Sequence, residues 1–533
     1  MRLDYKWQAA IVTAIGLFMA ILDNTIVNVA LNPMREYFHT DFNTIAWVST
    51  GYFLAQAAVI PVAGYLSDLV GTKLVFMTAL AVFTLGSLLC GLTPQIQPYI
   101  SALHGEQLLI LFRVIQGFGG GALFPVAFAI IFRVFPPTQR GAASAIIGVP
   151  VLLAPAFGPT IGGYLTTTFS WEAIFFVNVP IGIAALVACA FVLKGRDVER
   201  AEYNVDVPTG RRFDILGLLL SMAGFTALVY GISESGTKGL SDQRVLTFLG
   251  VGVVLLIGFV INELLVSDPV MDVRLFLNRT FTMSNILMWG VSAFLFGSFI
   301  LLPTFFERVQ NRTPLDTGEI LILQGLAAAV ATVIAGRLYN TVGPRTMAVF
   351  GFALIAIGTY GFTNLSVNTD PASLQPWLIL RGFGLGFTNI PLQTLAVSVI
   401  TNRAMARASS LINVTRQVFG AIGIAALTSY VTQQTTAHAT DIAAALKTQP
   451  PTGVGLTCVQ NAHGNLAAVG PCIGQYALTM ALNDAFFVVM IGCAALAVVA
   501  IFVGTDPNIV AMKRAKARGE EAPKAASPQF AGE

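Results

Sequence analysis

GYLSDLVGTK at Gly64–Lys73 and GRLYNTVGPR at Gly336–Arg345 align without a gap. Gly64 matches Gly336, Leu66 matches Leu338, Asp68 matches Asn340, Gly71 matches Gly343 and Lys73 matches Arg345. Each copy joins two long apolar runs, and the likeness continues outward. QGFGGG from Gln116 pairs with RGFGLG from Arg381, and Arg140 and Arg407 each open the apolar run that follows. The chain therefore reads as two like halves. Parallel six-helix halves that face each other across a midplane site, one rocking against the other, are a recurring plan of membrane transporters.

Composition agrees with a bilayer as solvent. Of 533 residues, 55% are hydrophobic and 11% charged, against about 25% charged in a soluble domain. Fourteen apolar stretches of about 20 residues follow one another, the thirteenth near 408–431 and the last near 477–504. Lys and Arg resist translocation, and most of them fall on the side that carries the N-terminus. Only Arg35, Lys238, Arg244, Arg308, Arg312 and Lys447 fall opposite, and Arg113, Arg381 and Arg416 lie inside apolar runs. This predicts a multi-pass protein of the cytoplasmic (inner) membrane with both termini in the cytoplasm. The expected fold is all-α: six-helix bundles over 1–193 and 280–504, with linkers and two inserted helices over 194–279. An outward loop at 433–476 and a disordered tail at 505–533 complete it. A net charge of +3, scattered through short loops, excludes a nucleic-acid surface.

The motifs resemble those of the fourteen-helix drug:proton antiporters of the major facilitator superfamily, of the EmrB/QacA type. LDNTIVNVAL from Leu22 resembles that group's first-helix signature, and the loop from Gly64 its loop between helices two and three. RVIQGFGGG from Arg113 resembles the fourth-helix motif, and APAFGPTIGG from Ala154 the antiporter motif of the fifth helix. IFFVNVPIG from Ile174 and SSLINVTRQVFGAIG from Ser409 add to the likeness, which spans about residues 8–432. Asn32-Pro33 and Ala173 depart from the pattern without touching a charged position. The resemblance implies a major facilitator fold and proton-coupled efflux of lipophilic small molecules by alternating access. It implies no cofactor beyond the proton gradient, and it admits a periplasmic adaptor and an outer-membrane channel as partners. The alternative is a gradient-driven exporter or facilitator of one metabolite or siderophore.

An ionisable group deep in a bilayer is costly unless paired or hydrated, and so marks a functional position. Asp23 lies roughly 22 Å into its helix and Arg113 roughly 9 Å in from the outer end of another, depths at which they can meet. The resemblance implies that the carboxylate couples protons and that the arginine tunes it; a static ion pair is the other reading. Asp484 and Arg381 share a depth and are expected to pair as a structural lock, while Glu319 and Glu307 lie near the outer mouth. Arg416 is expected to neutralise carbonyls or Asn413 nearby, or to shape an inner gate. All four histidines, His39, His104, His438 and His463, fall in outward loops. Gly64, Asp68, Gly71 and Lys73 form a candidate cytoplasmic gate; the resemblance implies that Asp68 and Lys73 stabilise the outward-facing state. In the fifth helix Gly148, Pro155, Gly158, Pro159, Gly162 and Gly163 lack bulk or donors where a helix bends or touches a neighbour.

Other chemistry finds no residues. GFGGG after Gln116 follows no strand, and no GxxxxGK[ST], HExxH, CxxC or GxSxG occurs, so neither ATP hydrolysis, a metal site nor an enzyme nucleophile is expected. Cys458 and Cys472 share the outward loop, where an oxidising exterior permits a disulfide.

Overall fold

In the computed structural model the described residues are 4–100, 102–136, 139–195, 214–239, 241–401, 404–445, 458 and 469–511, and no strand occurs among them. The first half contains α1 (Tyr5–Phe38), α2 (Phe42–Val70), α3 (Thr72–Gly91), α4 (Gly105–Val134), α5 (Arg140–Thr168) and α6 (Asn178–Val192). Then come α7 (Ile215–Lys238) and α8 (Gln243–Leu265). The second half contains α9 (Arg279–Thr304), α10 (Pro314–Val342), α11 (Pro344–Tyr360), α12 (Pro371–Ser398), α13 (Met405–Ala445) and α14 (Val469–Ala500). Eleven of the helices are long and apolar enough to cross a bilayer, or twelve when the two segments of α5 count as one. The others are α11, which has 17 residues, and α12, which carries Arg381, Gln375 and Gln393 along its length. The chain is a multi-pass membrane protein.

Local chemistry sets the helix ends. Asp41, Asp242, Asn278, Thr313 and Asp370 each accept a backbone N–H in the first turn of the helix that follows, satisfying donors with no intrahelical partner. Gly71 and Gly343, matched in the repeat, break their helices with φ of 94° and 89°, a backbone region that only glycine enters at little cost. The tight loops of the two halves are thus the same turn.

The halves repeat each other helix for helix. In the first, α4 packs on α1, α2 and α3, and α1 packs on α5 and α6; in the second, α12 packs on α9, α10 and α11, and α9 packs on α13 and α14. Two matched pairs join the halves, α5 with α10 and α2 with α13. α7 lies against α2 and α13 and pairs with α8, so the inserted helices flank one of these seams. Pro150, Pro155 and Pro159 interrupt α5, whose segments Arg140–Pro155 and Phe157–Thr168 meet at 45°, because each proline removes an N–H and crowds the preceding turn.

On the face that carries Tyr5, the near face, the backbones of the halves approach closely. A Cβ on Gly64 would lie 2.6 Å from the Ala406 carbonyl, and one on Gly141 would lie 2.6 Å from that of Gly336. Only glycine admits such contact.

The structure corrects the expected end of the bundle. α13 runs on to Ala445 and α14 begins at Val469, so the expected outward loop is shorter than 433–476, and His438 lies on a helix rather than in a loop. At 41 residues α13 is about 61 Å long, roughly twice the thickness of a bilayer core. Most of the expected linker at 194–212, His463 and the tail beyond Ala511 lie outside the described residues.

Replacing Gly64 with Leu is expected to force α2 from α13 on the near face. Alkylation of a cysteine introduced at Ser410 should then quicken several-fold relative to the same cysteine beside Gly64; an unchanged rate would show that the two helices do not depend on this contact.

Candidate functional site

The most elaborate polar group lies inside the first half. Asp23 is fully buried on α1, about 27 Å from the helix start at Tyr5. Arg113 Nη1 donates to its Oδ2 at 2.6 Å, while Gln116 Nε2 and Asn178 Nδ2 each donate to Oδ1 at 2.9 Å. The surrounding shell fixes these donors. Arg113 Nε donates to the Val48 carbonyl at 3.1 Å and Nη1 also to Gln116 Oε1 at 2.8 Å, with the guanidinium 4.0 Å from the centre of the Tyr52 ring. Asn178 also donates to Ser87 Oγ at 3.1 Å, and Ser87 donates to the Phe175 carbonyl at 2.9 Å. The carboxylate on α1 thus bonds α4 and α6 directly, and α2 and α3 hold their donors in place. In a medium that cannot solvate ions, this pairing makes a charge tolerable.

The sequence had brought Asp23 and Arg113 to similar depths, and the structure joins them. It adds Gln116, Asn178, Ser87 and Tyr52, which sequence reasoning missed. Two of these had a visible signal. Gln116 follows Arg113 by three residues and so shares its helix face, and Asn178 is a lone amide in the apolar run IFFVNVPIG.

The candidate gate divides into two tasks. Asp68, on α2, accepts from Arg133 Nη2 at 2.8 Å within its own half and from Arg407 Nε at 3.0 Å across the seam. Lys73 takes no part in that bond; its ammonium donates to the carbonyls of Ala190 and Leu193 at 2.7 Å each, capping the C-terminal end of α6 where a cation is favoured. Across the other seam, Arg140 Nη1 donates to the Val397 carbonyl at 2.8 Å, and Ser144 and Thr394 hydroxyls meet at 2.5 Å. The second repeat has Asn340 in place of the carboxylate. There Tyr339 donates instead to Asp506, beyond α14, at 2.7 Å. In α5, Gly158 and Gly162 face α1 at Thr25 and Ile26, whereas Gly148 and Gly163 face Ile390 and Leu315 of the other half. Pro155 and Pro159 lie at and just beyond the bend between them.

The expected Asp484–Arg381 pair does not form. Asp484 instead meets His438 Nε2 at 2.7 Å. Its side chain is 41% exposed, whereas Arg381 is fully buried near Cys493 and donates to Ser298 Oγ. Helix geometry explains the miss. Asp484 precedes Cys493 by nine residues, which sets the two about 13 Å apart along α14 and on opposite faces. Glu319 and Glu307 are exposed near the far ends of α10 and α9. Arg416 is buried on α13; the Asn413 amide that it was expected to neutralise donates to the Ser409 carbonyl at 2.8 Å. Cys458 and Cys472 form a disulfide with Cα atoms 5.7 Å apart. Among the described residues, no group of three or more His, Cys, Asp or Glu gathers to hold a metal.

Comparison with known proteins agrees with this architecture. Residues 13–424 match the profile described as Major Facilitator Superfamily. The chain is 38% identical over 455 residues to the Multidrug resistance protein B homolog of Mycobacterium tuberculosis, covering 84% of this chain and 80% of that protein. It is 30% identical over 431 residues to the Multidrug export protein EmrB of Escherichia coli, covering 80% of each. The solved proton:xylose symporter XylE superposes with a TM-score of 0.56 at 12% identity, covering 94% of this chain and 96% of that one, a likeness of fold alone. The chain belongs to the major facilitator superfamily. It is a membrane transporter and not an enzyme.

Removing only the carboxylate strands a buried guanidinium. Asp23→Ala should therefore lower stability by about 3–5 kcal/mol, and adding Arg113→Gln should restore part of the loss. Thermal unfolding of the single and double variants in detergent checks this; additive losses would mean that the two charges do not depend on each other.

Proposed function

We propose that this protein is a proton-coupled multidrug efflux antiporter, exporting lipophilic compounds across the inner (cytoplasmic) membrane by alternating access. The observation that carries the reading is Asp23, a fully buried carboxylate clamped by Arg113, Gln116 and Asn178. Relatives named for multidrug resistance and export support the substrate class. Lys73, Arg133, Arg140, Arg337, Arg345 and Arg407 gather toward the near face, which supports placing that face and both termini in the cytoplasm.

Residues 1–193 and 280–504 are then the moving halves, with 194–279 an insertion beside them. The bonds of Asp68 to Arg407 and of Arg140 to Val397 hold the near face shut while substrate leaves on the far side. Water entering from that side brings a proton to Asp23. Protonation removes the charge that holds Arg113 and turns one acceptor oxygen into a donor, so the contacts of α1 with α4 and α6 weaken together. Opening the near face requires the Asp68–Arg407 bond to break. Its re-formation, after the proton has left and substrate has bound, returns the protein to the first state. A gradient of one pH unit supplies about 1.4 kcal/mol per proton. Lipophilic substrates of varied shape need an adaptable apolar surface rather than a fixed set of polar contacts.

Inside-out vesicles with an imposed pH gradient test the coupling. Wild type should accumulate a fluorescent lipophilic cation, and Asp23→Asn at matched expression should not. Equal accumulation by both would place coupling elsewhere, and accumulation by neither would reject the substrate class.

A further inference from the structure

The two halves wrap the same backbone contacts around different polar residues. A Cβ on Gly86 would lie 2.6 Å from the Gln116 backbone, and one on Gly358 would lie 2.7 Å from that of Arg381. Gly117 and Gly382 close in the same way on the carbonyls of Tyr52 and Gln324, and Gly119 and Gly384 on the matched backbones at Phe83 and Ile355. Arg381 therefore stands in α12 where Gln116 stands in α4. Each reaches the opening helix of its half: Gln116 donates to Asp23 on α1, and Arg381 Nη2 donates to Ser298 Oγ on α9. Ser298 thus takes the place of the carboxylate. The first half holds a cation with its anion; the second holds a cation beside a neutral hydroxyl.

Among the described residues of the second half, no carboxylate pairs with that charge. Arg381 is fully buried, and its Nε and Nη1 have no hydrogen-bond partner among the described residues. Around it lie the Phe362 ring, 5.8 Å from the guanidinium carbon, and the free thiol of Cys493. Ser298 donates its own proton to the Leu295 carbonyl at 3.0 Å, a bond that its hydroxyl can exchange by rotation. Asp484 lies on the opposite face of α14 and is engaged by His438. Arginine cannot shed its proton to escape an apolar site, so burial requires a counter-charge.

We propose that Arg381, with Ser298, binds one small monovalent inorganic anion, chloride under cellular conditions, standing where the Asp23 carboxylate stands in the first half. One guanidinium matches one negative charge, which disfavours sulfate and doubly charged phosphate. Full burial excludes a carboxylate on a bulky substrate. The bound ion would make the polar core of the second half electrically equivalent to that of the first, whether or not Asp23 carries protons.

Halide-dependent unfolding of the purified full-length protein tests this. Replacing gluconate with chloride or bromide at constant ionic strength should raise the wild-type melting temperature saturably, by about 2–4 °C. Ser298→Asp supplies an internal anion as in the first half, and Arg381→Gln restores the glutamine of the repeat; both should melt alike in all three salts. Equal wild-type melting in the three salts, or a full chloride response in either variant, would overturn the proposal. If neither variant folds, wild-type crystals grown in bromide decide: an anomalous peak within hydrogen-bonding reach of Arg381 Nε or Nη1 supports the site, and ordered density without one rejects it.

Discussion

A charge inside a bilayer must find its opposite there, and the bond between Asp23 and Arg113 is how the first half meets that demand. The pair alone would leave lone pairs and N–H groups unsatisfied, which in a low dielectric adds a further cost to that of burying the charges. Gln116, Asn178 and the Val48 carbonyl complete the set. Completion ties α1, α2, α4 and α6 to one point, so a change of one proton there alters contacts among all four. An apolar core would hold the same helices together without sensitivity to protons.

The near-face bonds obey the same rule at the seam between the halves. Asp68 joins a cation from its own half to one from the other, so sliding α13 away from α2 exposes both charges to water, where pairs contribute little. The seam is thus firm when dry and weak when wet. Glycines at 64, 141 and 336 contribute nothing polar; they let backbones approach until the charged groups can meet.

The two halves carry like copies of this packing, and around the matched glycines their differences lie in the polar side chains. Asn340 stands opposite Asp68 in the repeat, and the missing carboxylate comes from Asp506, beyond the last helix. Arg381 stands opposite Gln116, and Ser298 takes the place of Asp23. Helix packing constrains the small residues because any added atom separates backbones, whereas polar side chains are free to change if the charge is balanced by some other route.

Much of this was legible in the chain itself. Apolar runs of bilayer length, the ungapped match of Gly64–Lys73 with Gly336–Arg345, and the asymmetry of Lys and Arg determined a two-half membrane fold, because bilayer thickness and helix rise leave few alternatives. Depth along a helix follows from a constant rise per residue, which is why Asp23 and Arg113 were matched correctly. Both depth and direction differ for Asp484 and Arg381: Arg381 lies beside Cys493, about 13 Å along α14 from Asp484 and on the opposite face. Only the tertiary structure decided that Asn178 reaches Asp23, that Lys73 caps α6 rather than joining the bonds of Asp68, and that Asp506 returns to Tyr339. Each of these depends on which face a helix turns toward its neighbours, a choice set by the packing of the whole bundle rather than by any one segment.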